Sequence, residues 1–408
     1  MGIGKNIKYI RTQKRVTQKA LAEGICSISY LSKIENELAE PSPEVLNQFC
    51  DRLGISNEEI DKQNDTLALL KSEFDVLHSI IRERDKEKAE LKFNEIMTNF
   101  PNLIEPEAYL IKALFELRLA IMNRDKLQAD TFFIEVASHI NYQSDWTMQY
   151  YYRYCGLYQY LYGSYEDAIE YYLLAERYLE EDKEEVYYHL ALAYYELDQI
   201  SISTFYINRA LDLFMKKNQV ELVTNCKLLL GINYTKLNEF QKAKAYFNEI
   251  LENSNRNNTF LRGKVYHSLG VLYSKEGDSA KAIQYYFESL VTKENSSSKT
   301  ITMYFLAKEY YKQDELELAY DWLEKGFENA VENQDQDYRV KFTVLKFFIL
   351  REENGVDFED YLVNVAIPHF EAKNETHTVK EYIELLASYY ERNRQYKSAN
   401  ELLRKLIT

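Results

Sequence analysis

Seven side chains fall in the stretch TQKALAEGICSISYLSKIEN, residues 17 to 36, at spacings that give them a common outer face: Thr17, Gln18, Ser27, Ile28, Ser29, Ser32 and Lys33. Hydroxyls, an amide and an ammonium in such a run break no bonds. They exchange hydrogen bonds with phosphate oxygens and base edges, and the one apolar member, Ile28, can meet a methyl group in a groove. A second set is spread over a far longer stretch: Arg118, Arg153, Tyr188, Asn225, Leu228, Lys264, His267, Tyr304 and Lys308. Guanidinium and ammonium groups pair with carboxylates, an asparagine amide pairs with peptide backbone, and phenol rings cover apolar side chains, so this mixture suits a short extended peptide.

No comparable set exists for bond-making chemistry. The six histidines (His78, His139, His189, His267, His369 and His377) are dispersed, and Cys26, Cys50, Cys155 and Cys226 form no Cys-x-x-Cys pair. A Gly-rich phosphate loop, an HExxH motif and a Ser/His/Asp arrangement are all lacking. The chain is therefore expected to be no enzyme and to hold neither cofactor nor metal, and the scattered cysteines fit a reducing cytosol.

The elements that must position the first set can be read from caps and periodicity. Ile3, Ile7 and Ile10 make one apolar face of a first helix. Thr17 caps a second helix that turns Leu21 and Ala22 inward, Gly24 supplies a turn, and Ser27 caps a third helix with Leu31 and Ile34 facing the core. Ser42 caps a fourth helix, Val45, Leu46, Phe49 and Leu53 complete the core, and Gly54 stops the chain's helical run. Only 12 Gly and 5 Pro occur in 408 residues, and no alternating β-branched run is long enough for a sheet, so the class is all-α.

Charge divides along the same line. Residues 1 to 56 hold eight Lys or Arg against six Asp or Glu, with seven of the bases before residue 35, whereas the rest of the chain holds 42 bases against 59 acids. A basic tip on an acidic body directs a polyanion to the tip and repels it elsewhere. No apolar run approaches the roughly 20 residues of a membrane span, and the start MGIGKNIKYIR lacks a secretory apolar segment, so a cytoplasmic protein without membrane partners is expected.

A repeat organises the second set. The pattern Leu-(Gly/Ala)-x-x-Tyr, a turn, then Ala-x-x-x-aromatic recurs around Gly156/Ala168/Tyr172, Leu190/Tyr194/Ala210, Leu230/Tyr234/Ala243, Leu269/Tyr273/Ala282 and Leu306/Tyr310/Ala319. Weaker units at 74–102, 109–140, 338–374 and 379–408 bring the count to nine helix pairs. Small residues let the first helix of a pair press on the second while aromatic rings fill the spaces between units. The expected organisation is a head at 1–56, a linker helix at 57–72 and a repeat array at 73–408. The first helix of each pair lines the inner wall of a right-handed superhelix.

The head resembles the Cro/C1-type (XRE) helix-turn-helix family through TQKALAE, SKIEN and PSPEVLNQFCDRLGIS. That resemblance implies double-stranded DNA as partner, with Gln18 near a phosphate, Ser27, Ile28, Ser29 and Lys33 at base edges, and Arg11 with Glu35 as an internal ion pair. It departs at Glu37, where the family has a helix-terminating Gly. The repeats resemble tetratricopeptide repeats, and the two together resemble the peptide-sensing quorum regulators of the Rap/NprR/PlcR/PrgX group, most of all its NprR branch. This implies a transcriptional regulator, a homodimer or tetramer on a palindromic operator, whose array binds a short signalling oligopeptide and thereby changes assembly and DNA affinity. Two alternatives stay open: an array that sequesters a response regulator until peptide releases it, and a constitutive repressor whose array only oligomerises.

Overall fold

The computed structural model describes residues 3–55, 57–101, 106–140, 144–255, 258–293 and 296–405, and all regular elements among them are helical. The first four are α1 (Ile3–Gln13), α2 (Gln18–Ala22), α3 (Ile28–Glu35) and α4 (Pro43–Leu53). The three hydroxyl caps form: Thr17 accepts from the Ala20 N–H at 3.1 Å, Ser27 from Tyr30 at 3.1 Å and Ser42 from Val45 at 3.3 Å. Gly54 ends α4 at φ 62°. Ile7, Ile10, Leu21, Ala22, Leu31, Ile34, Phe49 and Leu53 form the core of this head.

Nine successive helix pairs follow among the described residues. They are α5 (Asn57–Arg82) and α6 (Lys86–Asn99), α7 (Pro106–Asn123) and α8 (Lys126–His139), α9 (Asp145–Tyr162) and α10 (Tyr165–Tyr178), α11 (Glu184–Glu196) and α12 (Ile200–Lys216), and α13 (Val220–Lys236) and α14 (Phe240–Asn253). Then come α15 (Thr259–Glu276) and α16 (Ser279–Thr292), α17 (Thr300–Lys312) and α18 (Leu316–Glu332), α19 (Gln336–Ile349) with α20 (Val356–Tyr361) and α21 (Ile367–Glu371), and α22 (Thr376–Arg392) with α23 (Tyr396–Lys405). A π-helical turn, Leu362–Ala366, joins α20 to α21. Pro368 lies just beyond it and has no N–H to give an earlier carbonyl, which favours a widened turn there. The chain separates into two compact units, Met1–Tyr158 and Gln159–Thr408.

In the first unit α5 is one helix from the 57–72 stretch into the first pair. Leu67, Leu70, Phe74, Leu77 and Ile81, spaced three and four apart, are buried. A second face of α5 is polar and fully engaged. Lys71 pairs with buried Glu107 at 3.0 Å, Asp75 accepts from the Trp146 indole at 3.2 Å and the Tyr150 hydroxyl at 2.7 Å, and His78 meets Tyr154 and Arg153, each at 2.9 Å.

In the second unit the repeat motif becomes packing. A Cβ on Gly231 would lie 2.4 Å from the Phe247 ring, and one on Gly270 would lie 2.4 Å from Tyr286, so each glycine is the seat for an aromatic ring sixteen residues later. A stacked tyrosine pair recurs twelve residues apart in three consecutive repeats: Tyr194 with Tyr206, Tyr234 with Tyr246, and Tyr273 with Tyr285, at interplanar angles of 3°, 8° and 4°. Turns between the two helices of a pair close on one left-handed residue, Asp198, Asn238, Gly277, Asp314 or Arg351. Along the stack α13 touches α15, α15 touches α17 and α17 touches α19, while successive second helices share no comparable contact. The first helices therefore line the inner side of this unit.

Candidate functional site

The head presents α3 outward by its second half-turn. Ile28 is 47 % exposed, Ser29 and Lys33 are exposed, and Ser32 is half-buried beside the Asn36 amide at 3.5 Å. Thr17 and Ser27 accept hydrogen bonds from their helices' N-terminal backbone, which uses one lone pair and leaves each hydroxyl proton free to donate to a phosphate oxygen. Gln18 is placed differently from the expectation of a phosphate contact: its amide donates to Glu35 at 2.7 Å. Glu35 is 1 % exposed and also receives Arg11 Nε at 2.6 Å and Nη2 at 3.0 Å, while Arg11 Nη1 reaches the Val16 carbonyl at 2.9 Å. Three charge-assisted bonds fully engage the buried carboxylate and tie α1, α2 and α3 together.

Glu37 takes the left-handed conformation, φ 59°, that the family's glycine would supply. The recognition helix thus stops at Glu35 with Asn36 as its C-cap, and the side chain at 37 bears the steric cost. Replacing Glu37 with glycine is expected to raise the stability of the head by about 1 kcal/mol, read as a shift in its urea midpoint with unchanged slope.

The nine residues of the second set are divided between the units. Arg118 and Arg153 lie in the first. Arg153 is buried, its guanidinium donating to His78 and lying over the Tyr150 ring at 5.7 Å, so it serves the α5 seam and is not presented to a ligand. The other seven lie on first helices of the second unit. Tyr188 on α11 packs edge-on against Phe214. Asn225 on α13 is half-buried, with no hydrogen-bond partner among the described residues, and Leu228 one turn on packs against the core cluster shared by α14 and α15. On α15, Lys264 lies over the Phe260 ring at 4.2 Å and His267 stands edge-on to Phe305. On α17, Tyr304 meets Tyr338 and Phe342 edge-on, while Lys308 lies 3.7 Å from Glu381 of α22.

Beneath α15 and α17 is a polar knot. Lys293, 5 % exposed, donates to Thr302 Oγ1 at 2.7 Å, and that oxygen lies 3.1 Å from His267 Nδ1 and 3.4 Å from Ser289 Oγ. Burial holds His267 far below the usual imidazole range, at about 3, with Lys293 adding to the effect. Burial also lowers Lys293, to about 8, and here the neighbouring charge that contributes is another cation, Lys264.

Comparison with known proteins places these features. The helix-turn-helix model matches residues 7–60 and the tetratricopeptide repeat model matches residues 225–257 and 263–290. The transcriptional activator NprA of Geobacillus stearothermophilus is 30 % identical over 400 residues, which cover 93 % of this chain and 96 % of NprA. The chain belongs to the NprA family of transcriptional activators. Response regulator aspartate phosphatase I of Bacillus subtilis is 25 % identical over 85 % of the chain and 92 % of its own length. Among solved structures the fold is shared with apo NprR from B. thuringiensis (TM-score 0.65, 23 % identity, 85 % of this chain and 98 % of that one). It is shared also with a Rap protein complexed with Competence and Sporulation Factor (TM-score 0.67, 20 % identity, 83 % and 97 %).

Within this NprA-family chain, sequence reasoning missed residues that lie outside the inner-wall register of the first helices. Lys293 and Thr302 sit at the junction of one pair with the next, outside the inner-wall register that singled out Lys264 and His267. Glu381 and Asn374 were missed for the same reason. Asn374, in the turn before α22, donates to the Gly163 carbonyl at 2.8 Å across 211 residues, so the two ends of the second unit meet. A signal was present in the glycine at 263: a Cβ there would lie 2.7 Å from Lys293 Cγ, so that glycine makes room for the lysine stem.

Proposed function

We propose that this activator-family protein reads double-stranded DNA with its head and a short signalling oligopeptide with the inner face of its array. Two heads of a homodimer or tetramer engage a palindromic operator, through Ile28, Ser29, Ser32 and Lys33 at the bases and Thr17 and Ser27 at phosphates. One small head buries too little surface for tight binding, so affinity depends on how the assembly spaces the pair. Peptide on the array shifts the population of assemblies and, through it, DNA affinity. The protein acts by binding in the cytoplasm, without catalysis of its own; among the described residues no helix is long and apolar enough to cross a membrane.

The observation that carries the peptide reading is Asn225. A half-buried amide without a partner among the described residues, on a first helix between the tyrosine of α11 and the lysine of α15, has the hydrogen-bonding capacity of a peptide unit still available. A crystal structure described as NprR in complex with its cognate peptide NprX, 24 % identical, shares the fold and supports the reading. Sequestration of a response regulator is a second reading, supported by the similarity to response regulator aspartate phosphatases over most of the chain.

Native mass spectrometry of the full chain, alone and with short peptides encoded immediately downstream of its gene, tests the first reading. Expected is one bound peptide per chain with a shift in oligomer, lost on Asn225→Ala. An unchanged spectrum with every peptide would overturn it in favour of a repressor whose array only assembles.

A further inference from the structure

The two ends of the second unit meet through a slender contact. The Asn374 amide, in the turn before α22, donates to the Gly163 carbonyl at 2.8 Å, and that carbonyl stands just past the last residue of α9, where a helix leaves acceptors unsatisfied. Asn374 is exposed and takes the left-handed conformation, φ 55°, that asparagine adopts more readily than most residues. One exposed hydrogen bond shifts an equilibrium by roughly two- to ten-fold, so this contact is easily made and easily undone.

The charges beside it pull in opposite directions. Asp198, in the turn after α11, pairs with Lys236 of α13 at 3.0 Å and faces His377 and Lys380 of α22, which favours contact. Glu196, the last residue of α11, faces Glu375 at the start of α22, carboxylate towards carboxylate, which opposes it. Glu375 accepts from the Thr378 hydroxyl at 3.1 Å and lies 3.6 Å from Lys341 of α19. Glu196 is half-buried and has no hydrogen bond or ion pair among the described residues. Its surroundings are phenolic: Tyr160 of α9 and Tyr165 of α10, with ring centroids 5.6 Å apart, and Tyr195, whose ring lies under the Lys236 ammonium at 4.3 Å.

We propose that the Asn374–Gly163 contact is a latch on the inner face of the array, held poised by Glu196 and Glu375 and shut when a positive charge comes between them. The charge is a proton or a basic group of the bound peptide, and phenol rings around a carboxylate suit an ammonium or guanidinium. The latch itself needs no ligand; its role as a gate rests on the peptide reading above. Burial holds Glu196 above the usual carboxylate range, with Lys236 opposing and Glu375 adding to the effect. Opening removes the contribution of Glu375, so the shut form binds the proton more tightly. Closure is therefore strongest at low pH and weakens as the pH rises through the raised range of Glu196.

The test uses the full chain with Cys26→Ser, the other three cysteines being buried, and spin labels on cysteines replacing exposed Glu166 and Glu371, one on each side of the contact. Pulsed electron resonance then gives the distance between them from pH 5 to pH 8. Expected are two distances, the shorter gaining population as the pH falls. Glu196→Gln should raise the short population at pH 8 by about two- to five-fold, the size of one partly exposed charge interaction, and remove most of the pH dependence. Asn374→Ala should deplete it at every pH. A single distance, the same at both ends of the pH range and in Glu196→Gln, overturns the latch and makes the contact a fixed part of the fold.

Three hexapeptide pools at pH 8 test the gate: acetylated with Lys and Arg, acetylated without them, and free-amine without them. Closure by the first pool alone assigns a basic side chain, and closure by the third alone assigns the amino terminus. Peptide bound with the distances unchanged overturns the gate and leaves the peptide reading intact. Closure driven by pH, with no peptide bound by any form, supports the latch and overturns the peptide reading instead.

Discussion

Replacing Glu35 with alanine will unfold the head and leave the repeats folded. The carboxylate is buried and accepts from both Arg11 and Gln18, so its removal strands a largely covered guanidinium whose other bond among the described residues is to the Val16 carbonyl. Breaking such a pair from one side costs about 3–5 kcal/mol. A domain of this size holds about 3–8 kcal/mol in total, at the usual stability per residue. The loss is therefore comparable to everything the head has. Hydrogen exchange resolved by peptide should show α1 to α4 unprotected and the amides of α11 to α18 unchanged; a head protected as in the wild type would mean the ion pair contributes little. Glu35→Gln keeps two acceptor lone pairs and is expected to fall between.

The second large effect is on DNA. Lys33 is exposed on the outward face of α3 with Ser29 one turn before it, so Lys33→Glu should leave the melting temperature of the head nearly unchanged. At the interface it replaces a favourable contact with a repulsive one. A contact of this class carries about 1–3 kcal/mol, and two heads on one operator double it, so operator affinity should fall by a factor of about 30 or more. The dependence of affinity on salt should flatten as well, by about two counterions for the pair of heads. Fluorescence anisotropy at two salt concentrations measures both. Unchanged affinity and slope would remove α3 from the DNA interface and leave the helix-turn-helix as a protein contact.

These two residues sit two positions apart on one helix, yet their roles are opposed, and the difference shows what a local reading can carry. Lys33 and Glu35 lie two positions apart on an α-helix, about 200° round its axis, so one faces out whenever the other faces in. Helical phase is local information. The caps at Thr17, Ser27 and Ser42 are local too, as is the Gly54 stop, and each is present in the folded head. Arg153 is the contrary case. Its register on α9 matched an inner-wall position, but α5 carries His78 against it from 75 residues away and converts an apparent ligand contact into an internal bond. Gln18 likewise changed partner because Glu35 reaches it across the head. Local phase says which side of a helix a group is on, and the neighbour on that side belongs to the tertiary structure.

By itself, the amino-acid sequence determined the all-α class, the helix-turn-helix head with its capping residues, and the repeat that sets small residues beneath aromatic rings. Caps, turns and hydrophobic periodicity act over a few residues, and a repeated motif needs only its own neighbour to be meaningful. Tertiary structure alone decided that α5 is one helix stapled by a polar seam, that Glu381 lies beside Lys308, and that Lys293 is buried against the Thr302 hydroxyl. Each of these depends on which side chains meet after residues far apart in the chain are packed together. The electrostatic cost or gain of a charge is set by that company and by the water it excludes, neither of which is written along the chain.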